Sequence, residues 1–235
     1  MIKSREGIWK NEYVFMWNQV NEEYLFYQKQ IKQCEEKIKE QLLQQVAITQ
    51  EGDISQILQQ EEVKKKPGKN QYSFAVAPYL KIMTGVDICK IPSINAITAL
   101  ELISETGVDM NKWKSAKHFA AWLNLTPNTK ITGGKIISSK VPKKKNKGGQ
   151  CLKMAAFTLF KSKSPLGDEY RRMRAKFGGK GAALAMAHKL SRIIYTMIKN
   201  KKEYNAEIIT NNQKNFREQK IKRLEKQLEK LKNAA

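Results

Sequence analysis

Apolar side chains recur at Tyr13, Trp17, Val20, Tyr24, Tyr27, Ile31, Cys34 and Ile38, alternately four and three residues apart. Such spacing keeps one stripe of a long helix facing a partner helix, which is the signature of a heptad seam. Glu22, Glu23, Lys29, Lys32, Glu35, Glu36 and Lys37 fall mostly off the stripe, and the repeat holds for more than three heptads. A single amphipathic helix lying on a core is the alternative. The length and the charged flanks favour a coiled coil, either within a dimer or between antiparallel helices.

Beyond Leu43 the pattern decays through Gln44, Gln45, Gln50 and Glu51, and a Lys-Lys-Lys-Pro-Gly-Lys-Asn run follows. Pro67-Gly68 breaks any helix there and marks a boundary. Phe74 to Met83 is a short apolar helix closing at Thr84-Gly85. The stretch Ile91-Pro92-Ser93-Ile94-Asn95 and the apolar run after it resemble a helix-hairpin-helix, whose tight turn offers backbone N–H groups to a phosphate. Ser93 and Asn95 occupy the positions where glycines usually stand, so the turn is either a phosphate contact or a purely structural corner.

Ser115 is placed to cap a helix from Ala116 to Leu123, with Phe119, Ala120, Trp122 and Leu123 on its apolar side, and Pro127 to end it. A later helix, from about Cys151 to Phe160, turns Leu152, Ala155, Ala156 and Leu159 inward. Ser164-Pro165 then supplies an N-cap and a first-turn proline. The helix it opens carries Arg171, Arg172, Arg174 and Lys176 as a cationic face. Gly178-Gly179-Lys180-Gly181 is expected to break the chain ahead of an alanine-rich core helix from Ala182 to Ile198. That cluster lacks the spacing and the Lys-Ser/Thr ending of a P-loop. Ile221, Leu224, Leu228 and Leu231 predict a second, short coiled-coil helix.

Between these helices, Ile131 to Cys151 combines few apolar residues with two glycine pairs and six lysines from Lys135 to Lys147. It cannot bury itself. Gly133-Gly134 permits positive φ and close backbone approach, while Lys135, Lys140, Lys143, Lys144, Lys145 and Lys147, with the hydroxyls of Ser138 and Ser139, suit a phosphodiester backbone. The plain alternative is a solvated lysine loop. Its position inside a domain, with helical patterns on both sides, favours nucleic acid.

Composition agrees. The 44 lysines and arginines stand against 22 acids, a formal charge of +22, which calls for a polyanionic partner. No apolar run is long enough to span a bilayer and no signal peptide is evident, so a soluble, cytoplasmic and nucleoid-associated protein is expected, without membrane contact. Cys34, Cys89 and Cys151 lie far apart, without metal-ligand spacing, and are expected to be buried apolar side chains in a reducing compartment. His118 and His188 fall in apolar helical patterns, as core-edge rather than catalytic residues.

Several stretches together resemble a known family. They are Trp9 to Tyr13 with Tyr24 to Ile31, the Ile91 to Glu105 region, the block from Lys117 to Asn128 running into Lys130-Ile131-Thr132-Gly133-Gly134-Lys135 and Ser138-Ser139, and Gly179 to Leu190 on to Tyr195. They resemble the insertion-sequence transposases that join a RuvC-like DEDD nuclease domain to a serine-bearing transposase domain, the bridge-RNA-guided recombinases and their Piv-type invertase relatives. The likeness covers roughly Trp9 to Tyr204. It implies strand transfer of DNA, with a structured guide RNA as a further partner, and places the attacking side chain at Thr132, where the family has serine. A threonine hydroxyl is a weaker fit, since its methyl crowds an in-line attack. The family's DEDD carboxylates hold Mg²⁺ and precede the coiled coil. The sequence begins just ahead of that coil, so the nuclease half is expected to be missing, and no metal site is expected in this chain.

These observations predict an all-α protein. Residues 1–63 form a coiled-coil dimerisation region, 64–73 a basic linker, 74–205 a DNA-binding transposase domain and 206–235 a C-terminal helix. DNA contact is expected at Gly133, Gly134, Lys135, Ser138, Ser139, Lys140, Lys143, Lys144, Lys145, Lys147, Arg171, Arg172 and Arg174, with Ser93 and Asn95 as the hairpin contact. The chain is read as part of a transposase, a homo-oligomer through its coiled coil and inactive alone. A non-enzymatic scaffold or regulator of transposition is the competing reading.

Overall fold

The computed structural model describes residues 10–49, 71–139, 141 and 146–232. Lys140, Lys143, Lys144 and Lys145, and the expected break at Pro67-Gly68, lie outside them. The chain divides into two compact units, 1–75 and 76–235.

In the first unit the heptad stretch is one long helix, α1 (Asn11–Thr49). Its seam is bare: Tyr13, Trp17, Val20, Tyr24, Tyr27 and Ile31 are all more than half exposed. Phe15, Met16, Leu25 and Phe26, off the seam, are exposed as well, while Leu42 and Val46 near the end are buried. Cys34 is exposed, not buried as expected, because it belongs to the bare part of the stripe. Glu35 accepts a hydrogen bond from the Ser73 amide at 3.2 Å, which holds the end of the unit against the helix.

The second unit is helical apart from one ribbon, so the all-α expectation holds for its architecture. Its elements are α2 (Ala77–Thr84), a 3-10 turn at Ile88–Lys90, α3 (Ala96–Thr106), a second turn at Met110–Lys112 and α4 (Ala116–Trp122). Strands β1 (Lys130–Thr132) and β2 (Lys135–Ser138) follow, then α5 (Lys147–Thr158), a 3-10 turn at Leu159–Lys161, α6 (Pro165–Asn200) and α7 (Ala206–Lys232). Caps set most boundaries. Asn95, Ser115, Asn146 and Ser164 each accept from a backbone amide three residues on, in extended conformation, and Gly85 closes α2 at φ 72°. Asn95 is thus an N-cap, and the positive φ of the hairpin turn falls on Ser93, at 81°.

Helix α5 packs between α3 and α6, and α4 lies on α6. Leu152, Ala155, Ala156 and Leu159 are buried, as their spacing predicts, with Leu166, Tyr170, Met186, Leu190 and Ile194 of α6. Beside them Trp113, Phe119 and Tyr195 form an aromatic cluster, with ring centroids 4.8 and 5.7 Å apart, and Tyr195 donates its hydroxyl to the Trp113 carbonyl. Trp122, expected on the apolar side of α4, is instead 43% exposed at the helix end, edge-on to Trp113. His118 is also exposed, bonded to Ser115. The glycine cluster after Phe177 breaks the chain as expected, into two helical halves that meet at a kink. Gly178 alone leaves helical geometry, at φ 71° and ψ 175°, and kinks α6, whose two halves run on either side of it. His188, in the second half, is held below the ordinary imidazole range by burial and, secondarily, by Arg192.

Candidate nucleic-acid interface

The lysine- and glycine-rich stretch is not wholly a loop. Ile131 pairs with Ile136 and Thr132 with Lys135 across a two-residue turn, with a bulge displacing Lys130 and Ser138 from regular register. Gly133 and Gly134 both take positive φ, 55° and 74°, as the mirror-image turns of two-residue hairpins require. A signal for it exists in the sequence: β-branched residues on both sides of Gly-Gly are a hairpin signature, which the density of lysines masks.

The ribbon places Thr132 at its tip, on the same pair as Lys135, with Ser138 at the base of β2. Every residue from Lys130 to Ile137 is exposed, Ile131 and Ile136 at 61% and 65%. Neither the Thr132 hydroxyl nor the Lys135 ammonium has a bonded partner among the described residues. The tip is thus a hydroxyl, two turn glycines and a cation held together in solvent.

Asn146 closes the excursion. Its side chain accepts from the Gly149 amide at 2.9 Å and donates to the Trp122 carbonyl at 3.2 Å, joining the start of α5 to the end of α4. Helix α5 begins earlier than its apolar pattern indicates, so Lys147 sits in its first turn, 90% exposed and 3.8 Å from Glu105 of α3. Cys151 lies beside Thr98, so α3 and α5 run antiparallel. Ser93 and Asn95 therefore stand about 16 Å along α3 from Lys147, at the far end of that helix. The structure does not bring this hairpin turn to the start of α5. The side-chain oxygen of Asn95 is committed to the Thr98 amide, and the Ser93 hydroxyl is buried without a partner in the described structure.

The arginine face of α6 divides by role. Arg171 donates to the carbonyls of Phe160 and Ser162, at 3.0 and 2.7 Å, and pairs with Asp168, so its guanidinium is occupied. Arg172 is exposed. Arg174 lies over the Phe160 ring, 4.3 Å from its centroid. Phe160 is absent from the contacts expected of the sequence, because only the fold shows that its ring is exposed beside a cation.

Among the described residues no three His, Cys, Asp or Glu side chains converge. Asp168 is paired with Arg171, and Glu169 with Lys189. Burial pushes the thiol of Cys151 up to about 12 and that of Cys89 up to about 11, which leaves both inert.

The ribbon, its return through Asn146 and the first turns of α6 all lie within one segment that has known relatives. Residues 87–171 match the transposase IS116/IS110/IS902 family. The match supports an insertion-sequence transposase, with a role in transposition and DNA as the substrate. No curated protein matches the chain. No helix among the described residues is long and apolar enough to cross a membrane.

Proposed function

We propose that this chain is the nucleic-acid-gripping part of an insertion-sequence transposase, with the ribbon tip set against a DNA phosphate. The observation that carries the reading is the ribbon itself. Two short strands alone are marginal in water, yet here they hold Thr132, Gly133, Gly134 and Lys135 clear of the helical body, inside the family-matched segment. Exposed turn amides and lysines form phosphate contacts of the kind that position DNA without reading its sequence. The exposed seam of α1 supports self-association through the coiled coil, which would present two such tips. A structured guide RNA would meet the same cations.

The test is the salt dependence of binding to duplex DNA. Each phosphate interaction removed lowers the slope of log K against log salt by about 0.9. Replacing Lys143, Lys144, Lys145 and Lys147 with glutamine is expected to flatten it by several units, and an unchanged slope would return the segment to a solvated loop.

Thr132, in the same reading, stands where the attacking hydroxyl of the family stands. A hydroxyl needs a base or metal to attack at neutral pH, and the two acids between Thr126 and Asn200, Asp168 and Glu169, are each ion-paired elsewhere. The chain is therefore expected to bind DNA without cutting it unless carboxylates are supplied by another domain. With Mg²⁺ and supercoiled DNA, a denaturant-resistant adduct formed by this chain alone and abolished by Thr132→Ala would overturn that expectation.

A further inference from the structure

Phe160 lies in the middle of the 3-10 turn after α5 and is 43% exposed, and Phe157, one turn earlier, is exposed to the same extent. Phe177, one turn beyond Arg174 on α6, is 55% exposed. Flat apolar rings in water need a reason, and the charge around them narrows it. From Lys153 to Lys180 there are eight lysines and arginines against two acids, and both acids already hold a cation. A second copy of this face would be repelled. A polyanion with flat apolar faces of its own would be drawn to it, and that describes a nucleic-acid strand with its bases unpaired.

The local construction is ordered. Arg171 fixes the backbone on which Phe160 stands by donating to the carbonyls of Phe160 and Ser162. The Phe160 ring stands at a steep angle to that of Tyr170, which is buried, with centroids 6.4 Å apart. Arg174 then lies on the ring at 4.3 Å from its centroid, with no hydrogen bond or ion pair among the described residues. Ring and guanidinium together make a two-layer post whose donors are unspent. Unpaired bases stack on aromatic rings and on guanidinium planes, whereas bases inside a duplex already stack on one another.

We propose that Phe160 and Arg174 form a stacking post for an unpaired base of a single strand, separate from the phosphate contacts of the ribbon. The proposal rests on the nucleic-acid reading above and refines it. Duplex and single strand share the phosphate contacts, but only the single strand can use the post.

The experiment compares binding of a labelled oligothymidine and of a fully paired duplex to the wild-type chain, to Arg174→Lys and to Phe160→Leu. Thermal melts confirm that each variant is folded. Arg174→Lys keeps the charge and removes the plane, so it tests stacking even if Phe160→Leu unfolds. Each folded variant is expected to bind oligothymidine at least about fivefold more weakly, with duplex affinity within about twofold of wild type. Oligothymidine affinity unchanged in Arg174→Lys overturns the post, and so does an equal weakening on duplex, which would make Arg174 a plain phosphate contact. In either case wild-type duplex binding leaves the broader function standing. A wild-type chain that binds neither nucleic acid removes both.

Discussion

Two Gly-Gly pairs punctuate the same stretch, and they are there for opposite reasons. At Gly133 and Gly134 an added Cβ would meet nothing within 4 Å, but both residues need positive φ. At Gly149 the backbone is ordinary helix, and a Cβ would stand 2.0 Å from the Leu123 carbonyl oxygen, where no side chain fits. One pair lets the chain turn in open solvent; the other lets two helix ends touch. The dipeptide is identical, so the distinction belongs to the fold. It also separates a surface element that can change shape from a joint that cannot.

Substitution by alanine distinguishes the two pairs. Gly149→Ala is expected to have the larger effect, about 3 kcal/mol or more, because the obstacle is backbone and α5 must move to relieve it. For a unit of this size that is a fall of roughly 6–12 °C in the melting midpoint, and a fall under about 2 °C would mean that the helix ends are not in contact. Gly134→Ala forces a left-handed conformation on a residue with a side chain, at about 1–2 kcal/mol. Here the cost falls on the ribbon, so the melt of the helical unit is expected to stay within about 2 °C of wild type. Amide hydrogen exchange at Thr132 and Lys135, the bonded pair that closes the turn, should instead accelerate several-fold. Equal melting shifts for both substitutions would erase the comparison.

What can be read without coordinates follows from how local each signal is. The caps at Asn95, Ser115 and Ser164 act over three residues, and the starts at Ser115 and Ser164 are legible to the residue. The inward set of α5 repeats at helical spacing and is buried as that spacing predicts. The ribbon escapes because strands of three and four residues are too short for periodicity to register. The break at Gly178 and its neighbours is legible too, since glycine is the residue that accepts a positive φ, and a helix runs on either side of it. Of the candidate site, the turn glycines are legible, since both take the positive φ that their type allows. The site is not legible where a side chain has a prior commitment. Arg171 looks free in the sequence, but its guanidinium is engaged by carbonyls nine and eleven residues earlier, brought to it by a turn. Phe160 goes unnoticed for the same reason from the other side of that contact.

The Asn146 bridge has a consequence for how such chains diversify. By joining the end of α4 to the start of α5 with a single side chain, it fixes the two ends of the excursion independently of what lies between them. The entropy of closing a loop grows slowly, by about 0.6 kcal/mol for each doubling of length. Sequence between Leu125 and Asn146 is therefore a cartridge. It can lengthen or shorten at little cost while the helical frame stays as it is, so the part proposed to meet nucleic acid is decoupled from the part that holds the fold.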